Sequence, residues 1–206
     1  MEGCKTVSTP LDNNKVFKKE GSPKADESQF RSLIGSLLYL KATRPDIMYA
    51  VNLLSRFMQS PSQVHYGTAK RVLRYLQGTK NYGIWYGITH DSKLIGYTDS
   101  DWAGLVDDMK STSGYAFTIG SGIFSWASRK QATVAQSSAE AEYIAAAMTT
   151  SQAIWLKRIH EDMGESQVET TEIYCDSRSN YSNGKESRIS QQNQAYRHQV
   201  SLHQRS

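Results

Sequence analysis

A chain of 206 residues that is 38% hydrophobic and 10% aromatic can bury a real core, as one medium domain or as a domain plus a smaller helical piece, which excludes wholesale disorder. The formal net charge of +4 is a weak pointer to nucleic acid, because residues 177–206 carry five basic side chains against one acid and the rest nets zero. Only two cysteines (Cys4 and Cys175), no long apolar run and no apolar N-terminal stretch lead to an expectation of a reducing intracellular setting, not secreted and with no membrane.

Residues 1–26 are polar, with Pro10, Gly21 and Pro23, and read as a linker. "SQFRSLIGSLLYLKA", residues 28–42, places Phe30, Leu33, Ile34, Leu37, Leu38 and Leu40 close to helical spacing. "RPDIMYAVNLLSRFMQS" predicts a second helix with Pro45 in its first turn and a stripe of Ile47, Val51, Leu54 and Met58. "SQVHYGTAKRVLRYLQGT" predicts a third, with Gly78 as its stop. Its basic row Lys70, Arg71 and Arg74 could follow a phosphate backbone, but a solvated helix face accounts for it more simply.

The period then changes. "YGIWYG" and "KLIGYTDSDW" read as strands, and "SGYAFTIG" and "GIFSWAS" as a hairpin. "SSAEAEYIAAAMTTSQAIWLKRIHEDMG" is the longest predicted helix, opened by Ser137 with Glu140 as a capping pair and closed by Gly164. "TEIYCDS" predicts a further strand.

Carboxylates collect at the ends of these elements: Asp99 and Asp101 at the end of one strand, Glu140 and Glu142 at a helix start, Asp176 at the end of the last strand. Asp99 and Asp101 share a face. Converging carboxylates repel unless a cation lies between them, and hard oxygen donors suit Mg²⁺ or Mn²⁺. Such a set fits metal-dependent phosphoryl transfer. Ordinary structural reasons account for the same residues, since acids cap helix starts and Asp is common in turns. Glu140 reads as a cap, and Asp107 and Asp108 as turn residues. Trp102, Trp126 and Trp155 read as packing residues, and Cys175 as a small buried hydrophobe.

The longer words "YTDSDWAG", "KSTSGYAFTIGSGIFSWASRKQATVAQSSAEAEYIAAAMTTSQAIWL" and "IYCDS" resemble the ribonuclease H domain of copia-type retrotransposon Pol polyproteins. "FRSLIGSLLYL", "ATRPDIMYAVNLLSRFM" and "HYGTAKRVLRYLQGT" resemble the end of the reverse transcriptase in the same polyprotein. The resemblance implies an α/β fold, a ribonuclease H-like mixed sheet flanked by helices and preceded by a small helical segment. It divides the chain into a polar linker 1–26, a reverse transcriptase end 27–80, a truncated ribonuclease H-like domain 81–179 and a tail 180–206. It implies hydrolysis of the RNA strand of RNA·DNA hybrids, with Asp99, Glu142 and Asp176 as catalytic, metal-binding carboxylates for Mg²⁺ or Mn²⁺, and Asp101 in a lesser role. Its partners would be the hybrid and the remainder of the polyprotein, in cytoplasmic virus-like particles or the nucleus.

The tail departs from the family's words. Residues 180–206 have no sustained period and read as disordered. Read one base later, however, codons permitted by residues 180–205 spell "IIAMAKNPVFHSRTKHIDIRYHFIR", which resembles the family's own continuation. A one-nucleotide shift near the codons for Ser179 and Asn180 explains this. The expected consequences are the loss of a fourth acidic residue and of an apolar segment, leaving a catalytically dead remnant, or a weak nucleic-acid binder, as the alternative to an active enzyme.

Overall fold

The computed structural model describes residues 3–12, 22–88, 93–104, 109–165 and 169–175. The expectations for residues 180–206, Asp107, Asp108 and Asp176 lie outside the described residues. The chain divides between Gly83 and Ile84 into two compact units.

The first unit is helical: α1 (Glu27–Leu40), a 3₁₀ turn (Pro45–Ile47), α2 (Met48–Ser55) and α3 (Gln63–Gly78). Asp26 caps α1 by accepting the Gln29 N–H at 2.9 Å. Ser62 and His65 cap α3 reciprocally, the Ser62 hydroxyl accepting the His65 N–H and His65 Nδ1 accepting the Ser62 N–H. Phe30, Ile34, Leu37, Ile47, Val51, Leu54 and Val72 form the core. Residues 3–12 belong to this unit, with Val7 and Leu11 packed against that core.

"TRPDI" has a structural explanation. Arg44 binds Asp46 through Nε–Oδ1 at 2.9 Å and Nη2–Oδ2 at 2.7 Å. The same guanidinium donates to the Thr79 carbonyl and hydroxyl, and the Tyr75 phenol donates to Asp46 at 2.8 Å. This network is largely buried, where an ion pair persists only if its remaining donors and acceptors are used.

The second unit is α/β. Its strands are β1 (Leu94–Asp101), β2 (Thr112–Ile119), β3 (Gly122–Lys130) and β4 (Glu172–Cys175), with α4 (Ser138–Asp162) between the last two. The sheet order is β3-β2-β1-β4. β1–β2 and β2–β3 are antiparallel and β1–β4 parallel, so the sheet is mixed, consistent with a ribonuclease H-like fold. The hairpin turns at Gly120, whose φ of +56° suits a residue without Cβ. Leu94, Phe117, Ala153 and Leu156 form the core between sheet and helix. Gly96 is required here, because a Cβ would lie 2.7 Å from the Phe117 ring. Lys93 ties β1 to β4 through an ion pair with Glu172 at 2.7 Å.

Two expectations are corrected. "YGIWYG" forms no strand. It is held at the hairpin tip by side chains instead: the Tyr86 phenol donates to the Ile123 carbonyl at 2.7 Å, and the Gly87 N–H donates to the Ser121 hydroxyl at 2.8 Å. Trp155 is not packed but 55% exposed, on the outer side of α4 with Tyr143 (77%) and Ile154 (51%). Among the described residues no helix is long and apolar enough to cross a membrane.

Candidate functional site

Helix α4 opens where the sequence predicts. Ser137 is its cap and accepts the Glu140 N–H at 3.2 Å. The Glu140 carboxylate accepts the Gln136 N–H at 2.7 Å, so Glu140 is engaged in capping. The helix closes at Gly164, with φ +84°.

Helix α4 runs antiparallel to β1. Leu94 packs with Ala153 and Leu156, whereas Thr98 meets the earlier residue Thr149 at 2.8 Å. The side chains of Leu94 and Thr98 therefore face α4, with Gly96 between them on the same face, and strand alternation turns Asp99 to the opposite face. Asp99 is exposed, pairs across the ladder with Gly114, and accepts the Ser100 N–H at 2.8 Å.

Glu142 lies seven residues before Thr149 on α4, half-buried between the buried Ala141 and Ala145. At about 1.5 Å per helical residue and about 3.3 Å per strand residue, it stands about three strand residues beyond Thr98, level with the end of β1. Among the described residues it makes no hydrogen bond or ion pair. A cation shared by Asp99 and Glu142 has to sit around the end of β1, since the two leave from opposite sides of the sheet. Asp176 lies outside the described residues; Cys175, the residue before it, is half-buried and pairs with Thr98, the residue before Asp99. Among the described residues, no three His, Cys, Asp or Glu side chains gather closely enough to hold a metal ion.

The turn after β1 is anchored. The Trp102 indole donates to the Ala135 carbonyl at 3.1 Å, and the Ala103 N–H to the Ser111 hydroxyl at 3.2 Å. Trp102 thus fixes the strand end by a hydrogen bond while staying half-exposed. Asp101 is exposed, and its carboxylate lies against Gly104, where a Cβ would meet it.

The sequence gives no hint of Gln131, the first residue after β3. Its Nε2 donates to the Ser113 hydroxyl at 2.8 Å and to the Ala141 carbonyl at 2.9 Å, joining β2 to the start of α4. Both contacts span long stretches of chain, so no local pattern announces them.

The basic row of the helical unit is committed elsewhere. Arg71 binds the carbonyl and hydroxyl of Thr9, Arg74 binds the Lys5 carbonyl at 2.6 Å, and Lys70 sits 4.5 Å from the Tyr66 ring centroid. Arg71 and Arg74 thus strap residues 5–9 to α3, whereas Lys70 covers a ring of its own helix.

The chain is 42% identical over 177 residues to the retrovirus-related Pol polyprotein from transposon RE1 of Arabidopsis thaliana, covering 85% of this chain. It is 43% identical over 187 residues to that from transposon TNT 1-94 of Nicotiana tabacum, covering 87% of this chain. The chain belongs to the retrovirus-related Pol polyproteins of transposons. It spans only 12% and 14% of the length of those two Pol relatives, and so corresponds to a stretch of such a polyprotein. A secreted RxLR effector protein, number 161 of Plasmopara viticola, is 48% identical over 128 residues, which are 62% of this chain and 90% of that protein. No family model matches the chain, and no solved structure matches it significantly.

Proposed function

We propose that the α/β unit of this Pol stretch is a copia-type ribonuclease H domain that hydrolyses the RNA strand of RNA·DNA hybrids, and that the helical unit is the end of the reverse transcriptase. The observation that carries this reading is the packing of α4 along β1: two carboxylates in no ion pair among the described residues, Asp99, which accepts only the adjacent Ser100 N–H, and Glu142, stand at the same end of one sheet. Their donor chemistry fits a hard divalent cation, and Asp176 is the third ligand in this reading. Mg²⁺ or Mn²⁺ bound there would supply a water activated near neutral pH and charge neutralisation at the leaving oxygen. Hybrid would be recognised through its 2′-hydroxyls and backbone rather than its sequence.

A second reading, a catalytically dead remnant, is favoured by one observation. Tyr143, Ile154 and Trp155 form an exposed apolar stripe on α4, and codons permitted by residues 180–205 spell an apolar-rich peptide when read one base later. The deciding experiment is Mg²⁺-dependent cleavage of labelled RNA in a hybrid, by the chain as it stands and by one with the frame restored, each with an Asp99→Asn control. Cleavage lost in Asp99→Asn supports the enzyme reading. Cleavage by the restored chain alone makes this chain the remnant, and no cleavage by either folded chain overturns the assignment.

A further inference from the structure

Gln131 is 5% exposed and has no part in the catalytic set considered so far. The Ala141 carbonyl can only accept a hydrogen bond, so the atom of Gln131 facing it must be the amide nitrogen. The two protons of Nε2 are then used, one on Ala141 and one on Ser113. Ala141 is the residue immediately before Glu142, and Ser113 is the ladder partner of Ser100, the residue immediately after Asp99. The Gln131 backbone is itself fixed, its N–H donating to the Ser111 carbonyl at 2.9 Å.

One side chain therefore ties the neighbourhoods of both carboxylates together. Gln131 Oε1 and the Ser100 hydroxyl are buried on this side of the sheet with no hydrogen-bond partner among the described residues. An unsatisfied buried acceptor costs about 1–3 kcal/mol. An apolar side chain of the same length would avoid that cost, so packing alone does not explain a glutamine here.

We propose that Gln131 is the positioning residue for Glu142: its amide sets the height and rotation at which the first turns of α4 present that carboxylate to the end of β1. This rests on the reading of Asp99 and Glu142 as metal ligands. Groups that orient a metal ligand without touching the metal commonly change affinity by about 10–100-fold.

The test is Mn²⁺ binding to the full chain, followed by electron paramagnetic resonance, with circular dichroism as the check on folding. Gln131→Met keeps the volume and removes both donors and the orphan acceptor. Gln131→Glu keeps the shape and removes the donors. Glu142→Gln is the ligand control. The expected result is weakening of Mn²⁺ by about ten-fold in both Gln131 variants, with faster amide exchange at residues 141–145 and unchanged exchange at residues 153–156. Wild-type affinity in the two folded Gln131 variants, with affinity lost in Glu142→Gln, overturns the positioning role and leaves the metal reading intact. Absence of Mn²⁺ binding by the wild-type chain, or no effect of Glu142→Gln, overturns the metal reading and the inference with it.

Discussion

The hydroxyls of Thr98 and Thr149 lie 2.8 Å apart inside the α/β unit, joining β1 to α4. Thr149 Oγ1 is also 2.8 Å from the Ala145 carbonyl. A hydroxyl has one proton, so Thr149 shares its own between Thr98 and that carbonyl, while the Thr98 hydroxyl also has the Gly114 carbonyl at 3.5 Å to donate to. Both residues are buried, so this bond sets how the helix sits against the strand that carries Asp99. Thr149→Val leaves the Thr98 hydroxyl without its nearest partner. The expected loss is about 1–3 kcal/mol, read from urea melts followed by tryptophan fluorescence. All four tryptophans lie after residue 83, so that signal reports on this unit alone. In a double-mutant cycle Thr98→Val and Thr149→Val should be clearly less than additive.

The candidate ligands should behave oppositely. Asp99 is exposed and accepts one local N–H, which an asparagine side-chain oxygen can also accept. Glu142 makes no hydrogen bond or ion pair among the described residues. Asp99→Asn and Glu142→Gln should each change stability by less than about 0.5 kcal/mol while removing hybrid cleavage wherever the parent chain cleaves. A large stability loss from either would mean that the carboxylate is structural.

In the helical unit the sensitive site is Asp46. It accepts from both Arg44 and Tyr75, and its removal leaves the guanidinium buried without its counter-charge. Asp46→Ala should cost about 3–5 kcal/mol, measured by circular dichroism during urea unfolding. An effect below about 1 kcal/mol would place the pair in the range of solvent-exposed salt bridges.

The same network makes the helical unit sensitive to alkali. Burial first, and then the hydrogen bond to Asp46, pushes the Tyr75 phenol from 10.0 up to about 12. The folded state therefore holds this proton more tightly than the unfolded chain. The stabilisation is fully present below about pH 10 and is lost as the pH rises through about 12. Phenolate absorbance should show Tyr75 ionising late, and Asp46→Ala should bring it back toward 10.0. Burial also raises Tyr86 and Tyr97, so the Asp46→Ala difference spectrum is what isolates Tyr75.

What the sequence makes legible is local. The cap at Ser137, the stop at Gly164 and the turn at Gly120 each depend on a few neighbouring residues, and each signal sits in the text of the chain. Asp99 was legible as the end of a strand, and Glu142 as part of a helix start. Gln131 and Thr149 were not, because their roles consist of contacts with Ser113, Ala141 and Thr98, far away in sequence. "YGIWYG" misled for the same reason: its alternation suits a strand, but a strand also needs a ladder partner, and this segment meets the hairpin through the Tyr86 and Ser121 side chains.

Trp155 is exposed although its place in an apolar helix predicts packing, and the peptide permitted by a one-base shift after Ser179 gives that exposure a physical meaning. The hydroxyls of Thr150 and Ser151 donate to the carbonyls of Ala146 and Ala147, so this stretch of α4 turns little hydrogen-bonding capacity outward. Beside it stand Tyr143, Ile154 and Trp155. Such a surface is suited to being covered, and the frame-shifted peptide supplies apolar residues that the chain's own residues 180–205 lack. Restoring the frame should therefore shift Trp155 emission to shorter wavelength and protect it from iodide quenching, with Trp155→Phe identifying its share of the signal. It should also raise the midpoint of the tryptophan-detected transition and leave the Asp46-dependent helical transition in place. Unchanged quenching in a folded, frame-restored chain would mean that the stripe on α4 is not where that segment packs.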